Sequence, residues 1–272
     1  MPLELAGYRI TSRTTDGRHR AIHRWTGRRV EIEVGVEDDT AAIVRAAAAL
    51  DSIDHPGVAR ILGHGVLATG ETWRAVELPE GIALADVMLR RRLAAGEIIA
   101  LLRDAADVLA AAHRASVVHC ALRPDAIYFG TGSHHPPVIV GAWGAMRAPG
   151  RSAGEDVDLS VYAAPELGRR FDGRADLYSL GVIAYRAFTG RFPEADVVHV
   201  AGAPEPLSRL LVRMLAADPE RRPSAPEVRL LAGRMLEPDR VTAPRARTRW
   251  TPVSGIRAVH AAEEIVELKR KT

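Results

Sequence analysis

Apolar and polar residues alternate along roughly the first eighty positions, and then the period changes. YRIT from Tyr8, HRAIHR from His19 and RVEIEVGV from Arg29 set apolar side chains at about every second position, which predicts short strands, with Trp25, Thr26 and Gly27 as a turn. An alanine-rich stretch from about Thr40 to Ile53 reads as one helix, stopped by Asp54-His55-Pro56-Gly57. Two more strands follow in VARILGHGVL and TWRAVEL, separated by a glycine-containing turn. Beyond Gly81 apolar residues recur three and four apart, predicting helices over Ala83 to Arg92, Glu97 to Ala115, Ala175 to Thr189 and Pro206 to Ala217. The expected fold is α+β: a small antiparallel sheet lobe with one helix over residues 1–80, then a larger, mainly helical lobe over residues 81–236. From Glu237 the periodicity gives way to Pro, Arg, Ser and Thr, so residues 237–272 read as a flexible tail or linker with room for a short helix over Ala258 to Lys271.

Composition narrows the function classes. A hydrophobic content of 47% in 272 residues is ample for a packed core. Apolar runs such as Ala46 to Leu50 and Val138 to Val140 are far shorter than a membrane span, and the first ten residues lack a secretion pattern. The single cysteine, Cys120, has no partner for an internal disulfide, so a cytoplasmic location is expected. The net charge of +3 is mild and its basic residues are dispersed, which argues against a nucleic-acid face. His134-His135 lies in a Gly/Pro-rich hairpin without further ligands at metal spacing, and no metal site is expected. Of 37 basic residues only Lys269 and Lys271 are lysines, and Asn and Gln are absent.

The second half carries ordered motifs. His119-Cys120-Ala121-Leu122-Arg123-Pro124-Asp125-Ala126-Ile127 resembles the protein-kinase catalytic loop, H-R-D-L-K-P-x-N-I. Ala164-Pro165-Glu166 resembles the A-P-E that closes an activation segment. RADLYSLGVIAYRAFTG resembles the central helix of the large lobe, and DPERRPSA the segment near its end. With HPGVARILGHG and the hinge-like VELPEG, the chain resembles bacterial Ser/Thr protein kinases from about Tyr8 to Met235. The resemblance implies a two-lobed kinase-like fold in which Glu166 pairs with Arg222, Asp176 holds the backbone of the catalytic loop, and His119 and Trp143 join an apolar column between the lobes.

The same alignment implies that the phosphoryl-transfer residues are gone. Phosphoryl transfer needs cations on the triphosphate, oxygen ligands for Mg²⁺ and an aspartate near the substrate hydroxyl. The family's strand lysine aligns with Glu33, its partner glutamate with Ala46, the catalytic aspartate with Ala121, the metal-binding asparagine with Ala126 and the second metal-binding aspartate with Ala142. At 4 Å, in an effective dielectric of about 20, a Glu33 carboxylate would oppose each phosphate charge by roughly 4 kcal/mol. The phosphate loop retains only Gly17, and Pro79 removes an amide from the hinge at Glu77, Leu78 and Pro79. No gap placement restores the site, because lysine is absent before position 269 and asparagine is absent throughout.

The reading is therefore a catalytically inactive pseudokinase, with ATP and Mg²⁺ binding weak or absent, acting as a protein-binding scaffold. Its tail offers Thr248, Thr251 and Ser254 among arginines as candidate phosphosites. The partners expected by resemblance are an active Ser/Thr kinase and a phosphopeptide-binding, forkhead-associated domain. Two alternatives remain open. One is an unorthodox phosphotransferase using Asp125, Glu155, Asp156 or Asp158; the other is a metal-free nucleotide sensor that holds a purine at the hinge.

Overall fold

The protein is described here from a computed structural model covering residues 4–13, 19–34, 47–131, 137–143, 161–169, 171–194 and 197–237. Six strands form an antiparallel sheet: β1 (Glu4–Leu5), β2 (Tyr8–Arg13), β3 (His19–His23), β4 (Arg29–Val34), β5 (Ile61–Val66) and β6 (Thr72–Glu77). Their spatial order is β1-β2-β3-β4-β6-β5, so β6 lies between β4 and β5 and is buried along nearly its whole length. The alternation seen in the sequence has a physical counterpart here. Val30 and Ile32 of β4 join Tyr8, Ala21, Trp73 and Ala75 in one apolar cluster, and their neighbours Glu31 and Glu33 point to the opposite face. Residues 47–51 are helical, and Leu50 and Ile53 beside them are buried.

A second, three-stranded sheet follows, made of β7 (Gly81–Ala83), β8 (Ile127–Gly130) and β9 (Val138–Val140). Around it are α1 (Leu84–Arg90), α2 (Ala95–Arg114), α3 (Arg174–Thr189), α4 (Glu205–Met214) and α5 (Ala225–Leu236). Helix α2 forms the centre of this part, with twelve buried residues from Ile98 to Ala112. Its start is fixed by Glu97, which accepts from the Ala94 N–H at 2.9 Å and from both terminal nitrogens of Arg91 at 2.7 and 2.8 Å. Helix α5 packs along α2 through Val228 and Ala232. The α+β class expected from the sequence is the one observed, a small antiparallel sheet followed by a helical part. Helix α5 and the short strands β7 to β9 have no counterpart among the predicted elements. No helix among the described residues is long and apolar enough to cross a membrane.

The two parts are joined by the segment at 55–59. The Val140 N–H donates to the Gly57 carbonyl at 2.7 Å, and the Ala59 N–H donates to the Val140 carbonyl at 2.9 Å. A Cβ on Gly57 would fall 2.6 Å from Val108 Cγ2 and 2.7 Å from the Val138 carbonyl oxygen, so only glycine lets this segment approach β9 and α2 so closely. His55 completes the join, accepting the Gly57 N–H at Nδ1 and lying 3.5 Å from Asp107 of α2.

Candidate functional site

Asp176 enters the first turn of α3 fully buried, and its two oxygens organise the 119–126 segment. Oδ2 accepts the His119 N–H at 2.9 Å and lies 2.9 Å from His113 Nε2, and Oδ1 accepts the Cys120 N–H at 2.9 Å. Burial alone would push this carboxyl upward. The hydrogen bond and charge of His113, with the His119 N–H, outweigh it and hold Asp176 below its ordinary range. Cys120 is thereby kept at φ +66°, in a left-handed region that non-glycine residues seldom occupy.

His119 is wholly buried and stacks against Trp143, ring centroids 4.6 Å apart. Its Nε2–H donates to the Gly141 carbonyl at 2.8 Å while Nδ1 accepts the Ala121 N–H at 3.3 Å, an arrangement that requires the neutral ring. Burial lowers its pKa accordingly. Trp143 is anchored by its own Nε1–H to the Val140 carbonyl at 2.8 Å. Between them stands Ala142 at φ +55°.

The sign of the resulting pH dependence follows directly. With a folded pKa below the ordinary value of about 6.5, His119 is protonated first in the unfolded chain, so stability present above that pH declines as the pH falls below it. The depressed Asp176 acts at lower pH, its contribution being lost as the pH falls through its folded value. Thermal unfolding should therefore show a midpoint that drops between pH 7.5 and 5, and His119→Phe, which keeps a ring against Trp143, should drop less. Equal slopes for the two proteins would contradict this account.

Further along, Arg222 reaches Glu166 with two parallel bonds, at 2.6 and 2.9 Å, its guanidinium fully enclosed. The same side chain donates to the carbonyls of Ala216, Ala217 and Arg174 and lies 4.7 Å over the Tyr178 ring.

At the cleft the picture differs from the sequence expectation in one respect. Glu33 is not presented as a bare carboxylate: it is about nine-tenths buried and accepts a hydrogen bond from Arg74 Nε at 2.5 Å. The two residues are direct cross-strand partners of β4 and β6. The repulsion expected from Glu33 is thus largely cancelled by a cation 41 residues away in sequence. Arg74 was missed because strand order, not spacing, brings it there. Ala121, Ala126 and Ala142 flank the His119 column and carry no side-chain oxygen or nitrogen. At the hinge, the Glu77 N–H donates to the Arg60 carbonyl at 2.8 Å and the Leu78 N–H to the Arg29 carbonyl at 2.9 Å, while Pro79 has no N–H. None of these three positions retains an uncommitted amide. Tyr128 on β8 is a further residue unmarked in the sequence reading; burial raises its phenol pKa, and the Glu31 charge adds to the effect.

Asp125 is exposed and paired with Arg123 at 3.1 Å. Gly17, Ala46, His134, His135, Glu155, Asp156, Asp158, Thr248, Thr251 and Ser254 lie outside the described residues. Among the described residues, the positions that align with the kinase metal and phosphate residues do not fit a magnesium–nucleotide group: Ala121, Ala126 and Ala142 offer no ligand, and Glu33 is bonded to Arg74.

Sheet, helices, aspartate clamp and buried arginine–glutamate pair together define an α+β protein of kinase-like fold. In sequence the chain is similar to serine/threonine-protein kinase Pkn1 of Myxococcus xanthus, 36% identical over 48% of this chain and 22% of that protein. It is also similar to PkaB of Streptomyces coelicolor, 29% identical over 82% of this chain and 62% of that kinase, and to PknJ of Mycobacterium tuberculosis, 30% identical over 58% and 28%. The chain thus spans less than two thirds of the length of each of these relatives. No family model matches it. The proteins it is similar to are bacterial serine/threonine protein kinases.

Proposed function

We propose that this chain is a pseudokinase, a kinase-like scaffold that binds protein partners and does not transfer phosphate. The observation that carries the reading is the contrast within one segment: Asp176 and His119 hold the 119–126 backbone in place, yet Ala121 and Ala126 give that backbone nothing with which to bind metal or receive a proton. The absence of a lysine on β4, where Glu33 is committed to Arg74, and the committed amides at Glu77 and Leu78 support it. The partners proposed are an active Ser/Thr kinase acting on Thr248, Thr251 or Ser254, and a forkhead-associated or similar domain that reads the phosphorylated tail in the cytoplasm.

Titration with ATP and Mg²⁺ tests the inactive cleft. A ligand at 100 times its dissociation constant stabilises a fold by about 2.7 kcal/mol, a shift of several degrees for a chain of this size. The expected result is no shift, together with no transfer of label from γ-labelled ATP to the chain or to added protein. A saturable shift or Asp125-dependent labelling would overturn the proposal.

A further inference from the structure

On the helical part, α1, the turn after it and the end of α3 surround a cavity of about 400 Å³. Its wall carries Arg91, Arg92, Arg123 and Arg186, and Asp125 is its one acidic lining residue. Two of the four cations are answered: Arg91 by Glu97 and Arg123 by Asp125. The other two have no carboxylate partner among the described residues. Arg186, half buried, hydrogen-bonds the Tyr162 hydroxyl and lies 4.5 Å over the Phe192 ring. Arg92 rests against Gly190, where an added Cβ would come 2.8 Å from its Nε. Gly190 itself caps α3 at φ +78°, so the turn that shapes this wall is fixed by the only residue type that adopts it easily.

Two uncompensated guanidiniums at one cavity attract an anion, and their planar forks match a phosphate better than a point charge would. A phosphomonoester carries about −1.5 to −2 near neutral pH, which is the charge left unanswered here. The rest of the wall is apolar, with Met88, Pro124 and Ala187, and Leu89 on its rim is 86% exposed. Nucleic acid suits the site poorly. Bases need open aromatic faces, whereas Tyr162 is buried and Phe192 is overlaid by Arg186. We propose that this cavity is a receptor for a phosphorylated peptide, its phosphate held between Arg92 and Arg186 and an adjacent apolar side chain against Leu89 and Met88. The inference rests on the scaffold reading only in taking the partner to be a protein. Binding is measured without nucleotide, so its failure is distinct from that of the ATP titration.

The test passes a degenerate library of phosphothreonine peptides, and its unphosphorylated counterpart, over the immobilised full chain. The phosphorylated library should be enriched, and the best-retained peptide, titrated by fluorescence anisotropy, should be displaced by inorganic phosphate. Arg92→Glu should weaken that peptide about tenfold or more. Arg209→Glu makes the same charge change on α4, outside the cavity wall, and should leave affinity unchanged, with both variants melting at the wild-type temperature. Equal retention of the two libraries, equal weakening by both variants, or a single-stranded oligonucleotide that binds more tightly than the peptide and is lost with Arg92→Glu would overturn the proposal.

Discussion

Arg222→Ala is expected to destabilise the protein by roughly 3–5 kcal/mol, lowering the thermal midpoint by on the order of 10 °C. The side chain is fully enclosed, so truncating it strands the mostly buried Glu166 carboxylate and removes donors from the carbonyls of Ala216, Ala217 and Arg174. Glu166→Ala should cost less, because Arg222 would keep those carbonyls. Arg222→Lys should recover little, since an ammonium cannot make two parallel bonds to Glu166 while also serving three backbone oxygens. Urea unfolding of the three variants checks the order. An Arg222→Lys protein within about 1 kcal/mol of wild type would show that the fork geometry is not what matters.

The second large effect concerns β4 and β6. Arg74→Ala should cost on the order of 3 kcal/mol, because it removes the cross-strand cation from a Glu33 carboxylate that is about nine-tenths buried. Glu33→Lys, the change to the family's residue type, should be at least as damaging, since it sets an ammonium beside the Arg74 guanidinium in one cross-strand position. Replacing both residues by leucine should be close to neutral or stabilising, because the desolvation cost of a buried ion pair roughly offsets its attraction. A double-mutant cycle by chemical denaturation measures the coupling. Additivity of the single changes would mean that Glu33 and Arg74 act independently despite their separation of 2.5 Å.

Much of this was legible in the chain. The long helices α2 and α3 announce themselves because their apolar residues keep the helical period over four or more turns. Strands β2 to β6 show through alternation and the turns between them. Strands β7 to β9 do not, because three or four residues are too few to establish a period, and β9 is buried on every side. Helix α5 opens on Pro226 and buries only three residues, a weak signal beside the ordered motifs around it. Within the site, residues tied to backbone near in the motif order, such as His119 and Asp176, could be picked out by type and place. Arg74 could not. Its relation to Glu33 depends on β6 pairing with β4 ahead of β5, a matter of sheet order that local sequence does not encode.

The Glu33–Arg74 pair also bears on descent. Glu33→Lys alone would set two like charges side by side in the sheet, and loss of Arg74 alone would take the cross-strand cation from a mostly buried carboxylate. Each single change is therefore expected to weaken the fold, whereas a paired change keeps the charges matched. Positions 33 and 74 are expected to vary together rather than singly.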